Sequence, residues 1–219
     1  MTIKATSVLA ILAIWGAMVP AVLRNHDAWW ALIFAFLATG AVGVSAGRRL
    51  GLSRVLAVAG IWGGTAAALA SHESAAWMAV FAFLATGVVV YSRLKRDALI
   101  HGLVTGGIWA LVGAAAARDA DATWICVFAF LTTGSIVNTR EVMRPLVAAA
   151  AWGAAGAVML ITKEYYWLAP IAWVASWFIF RHNPFSMPRR FEWDLFEKED
   201  DGAIEGRWRS VHDADPPIR

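Results

Sequence analysis

Phe34-Ala35-Phe36-Leu37-Ala38-Thr39-Gly40, Phe81-Ala82-Phe83-Leu84-Ala85-Thr86-Gly87 and Phe128-Ala129-Phe130-Leu131-Thr132-Thr133-Gly134 are one phrase written three times, at intervals of 47 residues. A tryptophan precedes each copy at a fixed distance (Trp30, Trp77, Trp124), and Ile14-Trp15, Ile61-Trp62 and Ile108-Trp109 recur on the same period. Self-similarity at such a period marks a tandem array of one supersecondary unit.

The unit is apolar. Of the 219 residues, 59% are hydrophobic and 16% charged, against roughly 25% charged in soluble domains. The uncharged residues form blocks of about 17–20, the length that crosses about 30 Å of hydrocarbon as a helix. Backbone groups in lipid must pair within their own helix or within a closed barrel, and these runs are too long for barrel strands. The expected fold is an all-α integral membrane protein. Eight transmembrane helices form four tandem hairpins over residues 1–182, followed by a short cytoplasmic tail, 183–219, partly interfacial and partly disordered.

The expected helices are 5–23, 29–46, 55–70, 76–91, 99–117, 123–137, 145–162 and 166–180, with Pro145 opening the seventh. A basic start before the first apolar run resembles a secretory signal, but Trp15 matches Trp62 and Trp109, so the segment belongs to the array. Lys and Arg set the orientation. Lys4, Arg48, Arg49, Arg54, Arg93, Lys95, Arg96, Arg140, Arg144, Arg181, Arg189 and Arg190 lie on one side, against Arg24, Arg118 and Lys163 on the other. This places both termini in the cytoplasm of a multi-pass cell-membrane protein. Trp29, Trp30, Trp77, Trp124 and Trp167 then form an outer aromatic belt. The hairpins close into a pseudo-fourfold ring or lie in a curved row; spacing does not separate the two.

Charge is split. Residues 1–181 hold 13 Lys/Arg and 7 Asp/Glu, the remainder 6 and 9. The high pI therefore belongs to membrane loops, and no nucleic-acid partner is expected. The single Cys126 sits in an apolar segment and forms no intramolecular disulfide.

Chemistry is scarce. Transporters and redox proteins keep ionisable groups at membrane depth for a task, whereas these segments hold none well inside. His101 is expected at the cytoplasmic interface of helix five, and a haem would need a second deep histidine. The outer loops carry His26, Asp27, His72, Glu73, Asp119, Asp121 and Glu164. No ligand spacing recurs within a loop, so a polar rim is expected there and no metal or cofactor beyond bound lipid. No P-loop, dinucleotide fingerprint or Ser-His-Asp set is present, and the chain is not expected to be an enzyme.

Small residues point to helix packing: Gly60 with Gly64, Gly102 with Gly106, and Gly40, Gly87 and Gly134 in the even helices. On this basis Gly87→Leu should harm the bundle more than Trp177→Leu. Thr39, Thr86, Thr132 and Thr133 can bond back to their own helices. Trp15, Trp62, Trp109 and Trp152 fall near mid-membrane, where they either pack or line an apolar lipid, quinone or carotenoid site. The fourth hairpin diverges, with a period of 43 and Trp177 where glycine stood. Trp173, Trp177 and the tail residues Phe191, Trp193 and Phe196 are candidates for docking a partner.

The reading that follows is a non-enzymatic accessory or scaffold subunit of a larger membrane complex. It packs against a membrane-protein partner or a second copy, and its tail meets a cytoplasmic protein. The alternative is a channel or uniporter for a small neutral solute, with threonines and glycine carbonyls lining its path.

Overall fold

A computed structural model describes residues 5–44, 51–92, 99–139, 141–162 and 165–181. These residues are helical, without strands. The helices are α1 (Ala5–Arg24), α2 (Ala31–Val44), α3 (Leu52–Ser71), α4 (Met78–Tyr91), α5 (Leu99–Arg118), α6 (Cys126–Asn138), α7 (Met143–Thr162) and α8 (Leu168–Arg181). Six helical segments are long and apolar enough to cross a membrane: α1, α3, α5, α7, and α4 and α6 taken with the 3-10 turns that lead into them.

Those 3-10 turns, Glu73–Trp77 and Ala120–Ile125, replace the fully α-helical starts expected for helices four and six. A 3-10 turn rises about 2.0 Å per residue and an α-helix about 1.5 Å. Five residues followed by 14 therefore reach roughly 31 Å in α4. Asp119 starts the second turn by accepting the Asp121 N–H at 3.0 Å, as a short carboxylate does at a helix start. Pro145 is the third residue of α7 rather than its first. It remains in the first turn, where a missing N–H costs no intrahelical bond.

Odd and even helices form two rows. In one, α1 packs on α3, α3 on α5 and α5 on α7; in the other, α2 packs on α4, α4 on α6 and α6 on α8. Each odd helix also packs on the even helix that follows it. Among the described residues, no extensive contact joins α7 back to α1 or α8 back to α2. Of the two arrangements the sequence leaves open, this is the row.

The α3–α5 contact is the most intimate. A Cβ on Gly60 would overlap the Gly106 backbone, one on Gly64 the Trp109 carbonyl, one on Gly102 the Ser53 carbonyl, and one on Gly113 the Gly64 backbone. The two backbones touch, and only hydrogen fits between them. Dispersion falls steeply with a gap, so contact at this distance gathers many small attractions where lipid supplies no hydrophobic drive between helices.

The glycines of the repeated phrase behave differently. A Cβ at Gly40, Gly87 or Gly134 meets nothing within 4 Å, which corrects the expectation that they bring even helices together. The even row is joined by rings instead. Phe83 lies 6.2 Å from Phe34, Phe130 lies 5.9 Å from Phe81, and Trp173 lies 5.7 Å from Phe128, centroid to centroid. Trp173 is thus the last rung of this ladder.

Gly64→Leu or Gly113→Leu should lower stability by more than about 2 kcal/mol, beyond ordinary overpacking because backbone must move. Gly87→Leu should cost little, the reverse of the expectation from sequence. Thermal unfolding in detergent ranks the three; a Gly87→Leu loss equal to Gly64→Leu would contradict the open space at Gly87.

Candidate functional site

The polar groups inside the helical body converge on one recurring arrangement. Trp15 Nε1–H donates to Thr39 Oγ1 at 3.0 Å, Trp62 to Thr86 at 2.9 Å and Trp109 to Thr133 at 3.0 Å, each across 24 residues. Each hydroxyl in turn donates to the carbonyl four residues back: Ala35, Ala82 and Ala129, at 2.8–2.9 Å. A hydroxyl has one hydrogen and two lone pairs, so one threonine satisfies the indole and uses its own proton at once. Trp62 and Trp109 have no exposed surface. An unpaired indole N–H there would carry its full desolvation cost.

The fourth seam is incomplete. Ser176 stands 24 residues after Trp152 and donates to the Ala172 carbonyl at 2.7 Å, but Trp152 Nε1 is buried with no acceptor among the described residues. Trp152 is 1% exposed. Thr132 is also buried without a hydroxyl partner among those residues, so it does not share the bond made by its neighbour Thr133.

At the loop end opposite Arg54 and Arg144, contacts link successive pairs. Asn25 Nδ2 donates to the Leu69 carbonyl at 3.1 Å, Trp77 Nε1 to Thr123 Oγ1 at 3.3 Å, and Tyr166 Oη to Asp119 Oδ2 at 2.9 Å. Among the described residues no three His, Cys, Asp or Glu side chains gather in a metal-binding group.

At the basic end, Arg54 Nη2 reaches the Ser92 carbonyl at 3.1 Å and Arg144 Nη1 the Phe180 carbonyl at 2.9 Å. Each arginine starts an odd helix and meets the last carbonyls of the even helix that follows, where a cation opposes the negative end of the helix dipole. Arg144 also pairs with Glu141, Nε to Oε2 at 2.8 Å. His101 occupies the corresponding position of α5. It is 3% exposed, inside the helical body rather than at an open interface. Arg54, His101 and Arg144 share one place in the period, a regularity readable from spacing alone.

Trp177 is 41% exposed on α8, with the Arg181 guanidinium 5.1 Å from its ring centre. Of the other docking candidates, Trp173 is partly buried; Phe191, Trp193 and Phe196 lie outside the described residues. No family model, curated protein or solved structure matches the chain.

Thr86→Val keeps shape but leaves Trp62 without an acceptor, and should cost about 1–3 kcal/mol. Ser176→Ala should cost less, since no indole depends on that hydroxyl. Chemical denaturation in mixed micelles compares the two.

Proposed function

We propose that this chain is a non-enzymatic, multi-pass accessory or scaffold subunit of a membrane complex. It crosses the membrane eight times as four tandem hairpins with both termini in the cytoplasm. In this reading α2 and α8, shorter than the other crossings, complete their spans with the turns that precede them. The tail offers Phe191, Trp193 and Phe196 to a soluble partner.

The observation that carries this reading is the unfinished ring ladder at each edge of the even row. The Phe36 position is the one that stacks on the preceding pair in Phe83, Phe130 and Trp173, and Phe36 itself is 68% exposed. The Ile171 position is the one that receives a ring in Phe34, Phe81 and Phe128, and Ile171 is 52% exposed. Both edges present large apolar side chains shaped for a neighbour. A solute path is less favoured, because its threonines are already held by tryptophans in the helix seams.

The partner is a different membrane protein rather than a second copy. Continuing the odd row would bring α7 of one chain against Val8, Leu12 and Val19 of the next. These bulky residues stand where α5 carries Gly102, Gly106 and Gly113.

Native mass spectrometry after mild solubilisation should find the chain in a hetero-complex that Phe36→Ala or Trp177→Ala weakens. Recovery as a lone monomer or a symmetric homo-oligomer would overturn the scaffold reading, and solute uptake into liposomes carrying the lone protein would support conduction instead.

A further inference from the structure

At the basic end, α6, α7 and α8 diverge around a groove of about 400 Å³, within the size range of small-molecule sites, about 300–1,000 Å³. Its lining sets the apolar Leu131, Gly134 and Phe180 beside the polar Ser135, Asn138, Thr139 and Arg144. The cavity beside His101, by contrast, holds about 10 Å³.

The groove exists because Gly134 has open space in front of it and because its lining changes character along the period. Val88 and Tyr91 precede Ser135 and Asn138 by 47 residues, and His101 precedes Arg144 by 43. A valine, a tyrosine and an imidazole thus give way to a hydroxyl, an amide and a guanidinium at one seam. Helix packing does not require this, since the two side chains on α6 merely bond back to their own helix. Asn138 donates to the Gly134 carbonyl at 2.7 Å and Ser135 to the Leu131 carbonyl at 3.4 Å.

The donor inventory fits a phosphate. An Asn amide has two N–H groups and an Arg guanidinium five. One of the former and three of the latter are engaged, by Gly134, Phe180 and Glu141. One amide and two guanidinium hydrogens remain to point at an acceptor. Basic pockets between membrane helices at the cytoplasmic side hold lipid headgroups.

We propose that this groove binds one phospholipid, with its phosphodiester at Arg144 and Asn138 and an acyl chain along Leu131, Gly134 and Phe180. The paired Glu141 carboxylate disfavours a free phosphate dianion more than a diester of single charge, and the apolar part of the lining rewards a tail. The site is independent of whether the chain is a scaffold, and needs only that its helices lie in a bilayer.

Gly134→Leu should fill the groove without clashing, and Gly87→Leu is its matched control, since neither position has a neighbour within 4 Å. Native mass spectrometry of detergent-purified protein, titrated with phosphatidylglycerol or phosphatidylethanolamine, should show one tightly retained lipid in the parent and in Gly87→Leu, and its loss in Gly134→Leu. If Gly134→Leu does not fold, the double substitution Ser135→Ala with Asn138→Ala must show the same loss. Equal retention by all variants would mean annular lipid only and overturn the site. Thermal stabilisation by inorganic phosphate alone, equal to that given by the lipid, would overturn the lipid assignment.

Discussion

Two backbones in contact, α3 against α5, set the geometry to which the rest of the molecule conforms. Gly60 and Gly64 on one helix meet Gly106 and Gly113 on the other, and Ser53 meets Gly102. No side chain between them can adjust, so spacing and register there are fixed by main-chain atoms. Close approach in the odd row leaves the larger side chains to fill the space between rows. The indoles of Trp62 and Trp109 occupy it completely, and the phenylalanines of the even row stack at a separation that a ring, not a glycine, requires.

Filling that space with tryptophan creates a polar problem deep in an apolar body. Each indole carries one N–H that must find an acceptor, and the neighbouring backbone carbonyls are already committed to helices. The threonine hydroxyl solves this because it can donate to its own helix and still accept from across the seam. The same bond ties each even helix to the odd helix before it at a set height. Where Trp152 lacks that acceptor, α7 and α8 are joined by packing and by the Arg144–Phe180 contact at their ends. The pair that departs from the period is also the pair beside the wide groove.

Much of this was legible in the sequence, for reasons that also explain what was missed. Helix positions followed from uninterrupted apolar length, and their ends shifted by a few residues where 3-10 turns took over. The Trp and Thr series were both visible on one period, and the 24-residue offset between Trp62 and Thr86 is plain once sought. They were read separately because periodicity shows that positions are equivalent, not that they touch. The glycines misled for a related reason. Gly40, Gly87 and Gly134 are the most regular in the chain, yet they face open space. The glycines that matter, Gly64 and Gly113, fall at different places in their repeats because α3 and α5 meet through opposite faces. The distance of His101 from its helix start points to the interface, but depth along a helix says nothing about which side is buried.

The face through which each odd helix receives its predecessor changes in steps along the chain. It reads Val8, Leu12, Val19 in α1; Val55, Ala59, Ala66 in α3; Gly102, Gly106, Gly113 in α5; and Pro145, Ala149, Gly156 in α7. In α1 all three residues of that face are at least 40% exposed. Bulk there costs nothing in lipid and prevents another copy from adding by the α3–α5 contact. In α7 the face is small again, but the residue opposite Gly156 is Leu111, at the place where α3 has Gly64. A side chain then separates α5 from α7, and the closest contact in the molecule is made once, at its centre. An array of equivalent units would grow without limit if every junction were alike. Varying three positions per helix gives this one a tight middle, a looser last junction and a blocked start.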